Sequence, residues 1–199
     1  MKHTFLITLV LILTIYSNAQ FAVGGGITYF VSNGTAPSGA ALNSDKPGYA
    51  AQGVFVYPRY NFNVKDNSSL SIGSPISATL GGLVNSRGGN STITATFDIP
   101  LVLDYNIGLG AKEAQSEDAK TFGGFIGAGF SFTSTSARYF YSKTDGSNAE
   151  IPYRSFGPLV HAGIRTNIAN RNYFLRGAYK IGLDKLKLNT FFITVGTMF

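Results

Sequence analysis

The chain predicts an all-β fold, an eight-stranded antiparallel up-and-down transmembrane β-barrel. Three observations predict it. Apolar and polar residues alternate with period two in block after block, and no window sustains a 3.6-residue apolar period. The last strand ends on an aromatic, with Phe191, Ile193, Val195, Thr197 and Phe199 on one face, where a soluble domain commonly lets its last residues fray. Charged residues make up 13% of the 199, about half the share of an ordinary soluble domain, while aromatics reach 14% and Gly numbers 24.

The first element is an export signal rather than part of the barrel. Lys2 and His3 make a short polar start, and Phe5 to Tyr16 is an apolar run broken by threonines. Ser17-Asn18-Ala19 then supplies the small residues a signal peptidase reads before Gln20. The run is about a dozen residues, short of the ~20 that a spanning helix needs. Residues 1–19 are therefore expected to be cleaved, leaving 20–199 as one barrel domain. The chain has no Cys, which excludes disulfides and lipoprotein acylation.

Eight strands follow, at roughly 20–32, 49–64, 69–82, 92–108, 121–134, 155–168, 172–184 and 189–199. Connections 33–48, 83–91 and 135–154 are long and polar, whereas Lys65-Asp66-Asn67-Ser68 and Ala169-Asn170-Arg171 read as tight turns. Long loops at one end and short turns at the other are the habit of barrels whose loops face outside the cell. Two connections depart from it: 110–120 is long for a turn and 185–188 short for a loop. An even strand count puts both termini at the periplasmic end.

Alternation assigns the faces. In the fourth strand Ile93, Ala95, Phe97, Ile99, Leu101, Leu103, Tyr105 and Ile107 oppose Thr94, Thr96, Asp98, Pro100, Val102, Asp104 and Asn106. The sixth sets Phe156, Val160, Ala162 and Ile164 against His161, Gly163, Arg165 and Asn167. The seventh sets Tyr173, Leu175, Tyr179, Ile181 and Leu183 against Arg176, Ala178, Lys180 and Asp184. A soluble ligand-binding barrel turns its apolar face inward and a membrane barrel turns it outward. Small and polar residues crowd the polar faces, as a narrow lumen requires, and aromatics such as Phe21, Tyr60, Phe132 and Phe156 gather near strand ends, as interfacial girdles do. Apolar-out is the expectation. Because an unpaired backbone group costs several kcal/mol in hydrocarbon, the first strand is expected to pair with the last.

Three stretches carry a family resemblance: Phe97 to Asn106 (FDIPLVLDYN), Gly123 to Gly129 (GGFIGAG), and the ending from Tyr179 to Phe199. With them the chain resembles the outer-membrane β-barrel domain family of Gram-negative bacteria, which includes the PorT-like proteins, and is similar to the eight-stranded OmpX and OmpA barrel domains. The resemblance implies an outer-membrane location and no shared activity. It also implies that Phe191, Ile193, Val195 and Phe199 form the signal read by the barrel-insertion machinery.

Inward charges are the first candidate constellation: Arg59, Asp98, Asp104, His161, Arg165, Arg176, Lys180 and Asp184. Arg165 and Arg176, on adjacent strands, are placed to bridge to Asp98 or Asp104 across the lumen. A structural plug of mutually satisfied charges is favoured over a narrow ion path, because unpaired buried charge is costly. The second candidate lies in the 135–154 connection, where Arg138, Tyr139, Phe140, Tyr141, Lys143 and Tyr153 put aromatics beside basic groups, as sugar- or protein-contact surfaces do. A strand pair running past the membrane is the plainer account of the same residues.

No enzyme is expected. His161 is the one His of the processed chain, it faces the lumen, and no nucleophile, base and acid stand together. One His and no Cys argue against a metal, and the Gly clusters precede no helix, so no phosphate loop or cofactor is expected. The formal charge of +6 suits anionic lipopolysaccharide, while scattered basic residues give no nucleic-acid footprint. The expected role is structural or surface-interacting in the outer membrane. Its partners would be outer-membrane lipid, the insertion machinery, and an extracellular or periplasmic protein. The alternatives are an accessory barrel for secretion or assembly that docks through 110–120, or a narrow pore.

Overall fold

The computed structural model describes residues 19–33, 48–65, 67–83, 91–111, 121–140, 149–169, 171–183 and 187–199. The expected export segment, up to Asn18, lies outside the described residues. The described residues form nine strands: β1 (Ala19–Asn33), β2 (Gly48–Lys65), β3 (Ser68–Gly73), β4 (Ile76–Leu83), β5 (Ser91–Gly108), β6 (Phe122–Phe140), β7 (Ala149–Ile168), β8 (Arg171–Lys180) and β9 (Asn189–Met198). Every neighbouring pair is antiparallel. β1 pairs with β2 from Ala19↔Phe62 to Asn33↔Gly48 and with β9 from Gly24↔Met198 to Asn33↔Asn189, so the sheet is closed. Beyond β9 the Phe199 N–H donates to the Val23 carbonyl at 2.8 Å, and the seam runs to the last residue.

The ring has eight staves, because β3 and β4 are two halves of one. β3 pairs with Arg59–Lys65 of β2 and with Val102–Ile107 of β5, and β4 pairs higher on the same two neighbours. The predicted third strand, 69–82, is thus interrupted at Ser74-Pro75. Proline supplies no N–H to a ladder, and Pro58, Pro75 and Pro100 fall on three adjacent staves at this level. Ser74 repairs part of the gap: its N–H donates to the Pro58 carbonyl at 3.0 Å and its hydroxyl to the Pro100 carbonyl.

The outward face is apolar around the ring. Ile27 is 66% exposed, Val54 64%, Leu80 65%, Leu101 61% and Ile126 64%, whereas Asp104 and Lys180 are wholly buried. A water-borne monomer rarely exposes an apolar patch beyond a few hundred Å², and a complete apolar belt is the signature of a wall in contact with lipid. Rings pack on that wall near its edges. Phe21 and Tyr60 lie 5.0 Å apart toward the end bearing the termini, and Phe130 and Phe156 stack at 5.5 Å on the other side.

Two strand ends differ from expectation. The 135–154 connection is largely paired strand, since β6 continues to Phe140 and β7 begins at Ala149, with Arg138↔Glu150 in register. Conversely, β8 ends at Lys180 rather than 184. The Ile181 and Leu183 N–H groups still donate to the carbonyls of Pro158 and Phe156 on β7, at 3.0 and 2.9 Å. On the other side the ladder with β9 stops at Lys180↔Thr190, so the strand loses one of its two neighbours there.

Candidate functional site

The lumen is where the charged side chains meet, in tiers stacked along β2, β5, β6, β7 and β8. Inward positions of these strands recur every second residue, so each strand contributes a ladder of side chains to successive tiers.

The tier nearest the chain termini holds Arg59 and Arg165 side by side. Both donate to Asn106 Oδ1, at 3.3 and 2.8 Å, and both donate to the Gly110 carbonyl, at 3.2 and 3.3 Å. Arg165 also lies over the Phe125 ring, 4.4 Å from its centroid, a placement that favours a cation. The Asn106 amide is anchored in turn by donating to Ser71 Oγ at 3.0 Å. Gly110 reaches the guanidiniums because its φ of +77° turns the chain inward after β5. A Cβ there would sit 2.9 Å from Arg165 Nη1, and Leu109 and Ala111 are buried beside it. The start of the 110–120 connection therefore stoppers this end of the barrel; residues 112–120, with Glu113, Glu117 and Asp118, lie outside the described residues.

The next tier is a chain of four groups. Tyr57 donates its hydroxyl proton to Asp104 Oδ2, His161 Nε2 lies 2.8 Å from Asp104 Oδ1, and Arg176 Nε donates to His161 Nδ1 at 3.0 Å. An acceptor at Nδ1 fixes the tautomer: the imidazole is neutral and its proton sits on Nε2, aimed at the carboxylate. Gly127 floors this tier, since a Cβ there would overlap Asp104 Oδ1 and His161 Nε2. Above it, Asp98 Oδ1 accepts from Ser131 and Thr133, and Lys180 Nζ donates to Thr133 Oγ1. Threonine and serine hydroxyls continue the column, with Thr28 and Thr194 at 3.1 Å, Thr96 and Thr135 at 3.0 Å, and Ser32 and Thr190 at 2.6 Å.

The predicted lumenal residues are thus inside, but their pairing differs from expectation. Among the described residues neither Arg165 nor Arg176 bridges to Asp98 or Asp104; they bond to Asn106, the Gly110 carbonyl and His161 instead. Height along the lumen decides this. Arg165 sits in the tier nearer the termini, beside Asn106, and the His161 imidazole stands between Arg176 and Asp104. Asp184 lies outside the described residues. Tyr57 was missed as a partner, although it sits on the inward face two residues from Arg59, and alternation alone would have placed it there. Also unanticipated is the apolar half of the lumen: Phe30, Phe55, Phe125, Phe174 and Phe192 are all buried, with Phe55 and Phe174 edge-to-face at 5.7 Å.

Of the predicted contact residues, Arg138, Tyr139, Phe140 and Tyr153 belong to the β6–β7 pair, while Tyr141 and Lys143 lie outside the described residues. The terminal Phe191, Ile193, Val195 and Phe199 all face outward, at 47%, 42%, 53% and 81% exposure.

A closed antiparallel cylinder of eight staves with an apolar outer wall and a side-chain-filled lumen defines a transmembrane barrel of the outer-membrane type, and the chain is one of that class. No family model and no curated protein matches it. Among solved structures it is similar to OprG from Pseudomonas aeruginosa, with 12% identity over 92% of this chain and 96% of that one and a TM-score of 0.49. It is also similar to Neisserial surface protein A, with 14% identity over 90% and 97% and a TM-score of 0.47. A third is Ail, the attachment invasion locus protein of Yersinia pestis, with 11% identity over 90% and 99% and a TM-score of 0.42. At such identities and scores no ligand, partner or activity passes to this chain.

Proposed function

We propose that the chain is a non-enzymatic protein of the outer membrane that works through surfaces beyond the bilayer, chiefly the hairpin joining β6 and β7, while its lumen serves as a structural plug. The extension of that hairpin is the observation that supports it most. The outward positions of β6 are apolar through Phe132, paired with Phe156, and become serine at 134 and 136. The ladder nevertheless continues to Tyr139↔Ala149. Eight residues from Phe132 to Phe140 span about 27 Å of strand. At the usual tilt that is ~20 Å of rise past the apolar belt. In sequence this hairpin carries Tyr139, Phe140, Tyr141 and Tyr153 together with Arg138 and Lys143, aromatic and basic residue types suited to contact surfaces. Such a surface fits an extracellular protein or an anionic sugar such as the lipopolysaccharide head group.

The lumen supports the non-enzymatic part of the proposal. A general base needs a free ring nitrogen directed at substrate, whereas His161 is buried in the lumen, with Nδ1 accepting from Arg176 and Nε2 2.8 Å from Asp104. The outer-membrane location, the removal of residues 1–19 and the engagement of Phe199 by the insertion machinery belong to the same proposal.

The test compares two refolded proteins in nanodiscs, the full barrel and a form in which 138–152 is replaced by Asn-Gly. Both are passed over purified lipopolysaccharide and a glycan and surface-protein array. Binding by the full barrel and at least tenfold weaker binding by the shortened one is expected. Equal binding, or a silent full barrel, rejects a contact role for the hairpin.

A further inference from the structure

Beside the break in the third stave the lumen contains a cavity of about 10 Å³, counted as room for the centre of a water molecule, whose lining includes Thr28, Pro75, Ser77, Asp98, Arg176 and Thr194. That volume is the size of one water. The polar groups around it are incompletely used. Arg176 is only 4% exposed; its Nε is committed to His161, and its Nη2 is buried without a hydrogen-bond partner. Asp98, which lines the cavity, accepts from Ser131 and Thr133 through Oδ1 alone, and a carboxylate has capacity for further donors. Thr28 and Thr194 bond to each other at 3.1 Å, an arrangement in which each hydroxyl oxygen keeps further accepting capacity.

An unsatisfied guanidinium N–H in a buried site costs free energy comparable to a lost charged hydrogen bond, and a water held among the polar groups of the chamber removes that cost. The geometry points to a binding site for a single internal water that accepts from Arg176 Nη2, donates one proton to Asp98 and the other to a hydroxyl of the Thr28–Thr194 pair, with Ser77 on the chamber wall. The water is then a structural ligand. It ties the Asp98–Thr133–Lys180 tier to the Tyr57–Asp104–His161–Arg176 tier, which no direct ion pair joins among the described residues. Its place follows from the wall: Pro75 ends the ladder at this level, and the interrupted stave leaves the space.

Water-to-protein cross-relaxation on the full barrel in nanodiscs, with the arginine guanidinium nitrogens labelled, tests this. A cross-peak from a long-lived water to the Arg176 guanidinium protons and to the Thr28 and Thr194 side chains is expected. It should vanish in Ser77→Val, which fills the chamber with a branched side chain and removes one hydroxyl, while the remaining amide spectrum is kept. Should Ser77→Val not fold, the wild-type spectrum decides alone. Absence of any long-lived water at Arg176 in wild-type protein overturns the site, and so does an anomalous bromide peak there in a bromide-soaked crystal, because the occupant would then be an anion.

Discussion

Replacing Asp104 with alanine is expected to destabilise the folded barrel by about 3–5 kcal/mol, the range found when one partner of a buried charged pair is removed. Asp104 is wholly buried, accepts from the Tyr57 hydroxyl and lies 2.8 Å from His161 Nε2. Its loss leaves the Tyr57 hydroxyl and the imidazole without the carboxylate they face. It also removes the negative charge that Arg176 sees through the imidazole, since Arg176 is held by His161 Nδ1. Asp104→Asn keeps one acceptor oxygen and should cost clearly less. Urea titration of the refolded protein in detergent, followed by tyrosine fluorescence and by the mobility of unheated samples, measures both. Equal midpoints for Asp104→Ala and wild type would show that the four-group chain carries no stability.

The second large effect lies at the seam. Gly26 of β1 faces Gly196 of β9, and the ring of Phe55 from β2 covers them both. A Cβ on Gly196 would stand 2.5 Å from the Gly25 carbonyl oxygen and 2.6 Å from Phe55 Cζ. The first of these is backbone and cannot swing away without opening the ladder. Gly196→Val is therefore expected to abolish closure, leaving no folded species on refolding. Phe55→Ala removes only the cover and should fold with a loss of about 3–5 kcal/mol, the usual cost of truncating a buried Phe. Combining the two should not restore closure, because the carbonyl clash survives. If Gly196→Val refolds normally, the register Gly26↔Gly196 is not the one the protein uses.

Most of the wall could be read from the chain because one period governs it. The fourth strand, Ile93 to Ile107 against Thr94 to Asn106, came out with every described face as assigned, and the pairing of first with last strand followed from the cost of open edges in lipid. Length was harder where the solvent changes. Beyond Phe132 the outer positions are polar serines, so contrast between faces disappears and the rest of β6 looked like loop. The third stave looked continuous because Ser69 to Gly82 keeps its alternation; Pro75 was the visible warning, and its meaning depends on Pro58 and Pro100 beside it. The lumen was half legible. Which residues point inward follows from parity, but which of them touch depends on strand stagger across the barrel. That is why Asn106 and the Gly110 carbonyl, not carboxylates, hold Arg59 and Arg165.

Everything rests on a closed ring with lipid against its apolar side, and spin-label accessibility along β5 tests that most directly. Labels placed singly at Phe97, Ile99, Leu101 and Leu103 of membrane-inserted protein should collide readily with oxygen and poorly with a nickel chelate, while labels at Thr96 and Val102 should collide poorly with both. High nickel accessibility at the first four positions, or no alternation between odd and even positions, would contradict the account.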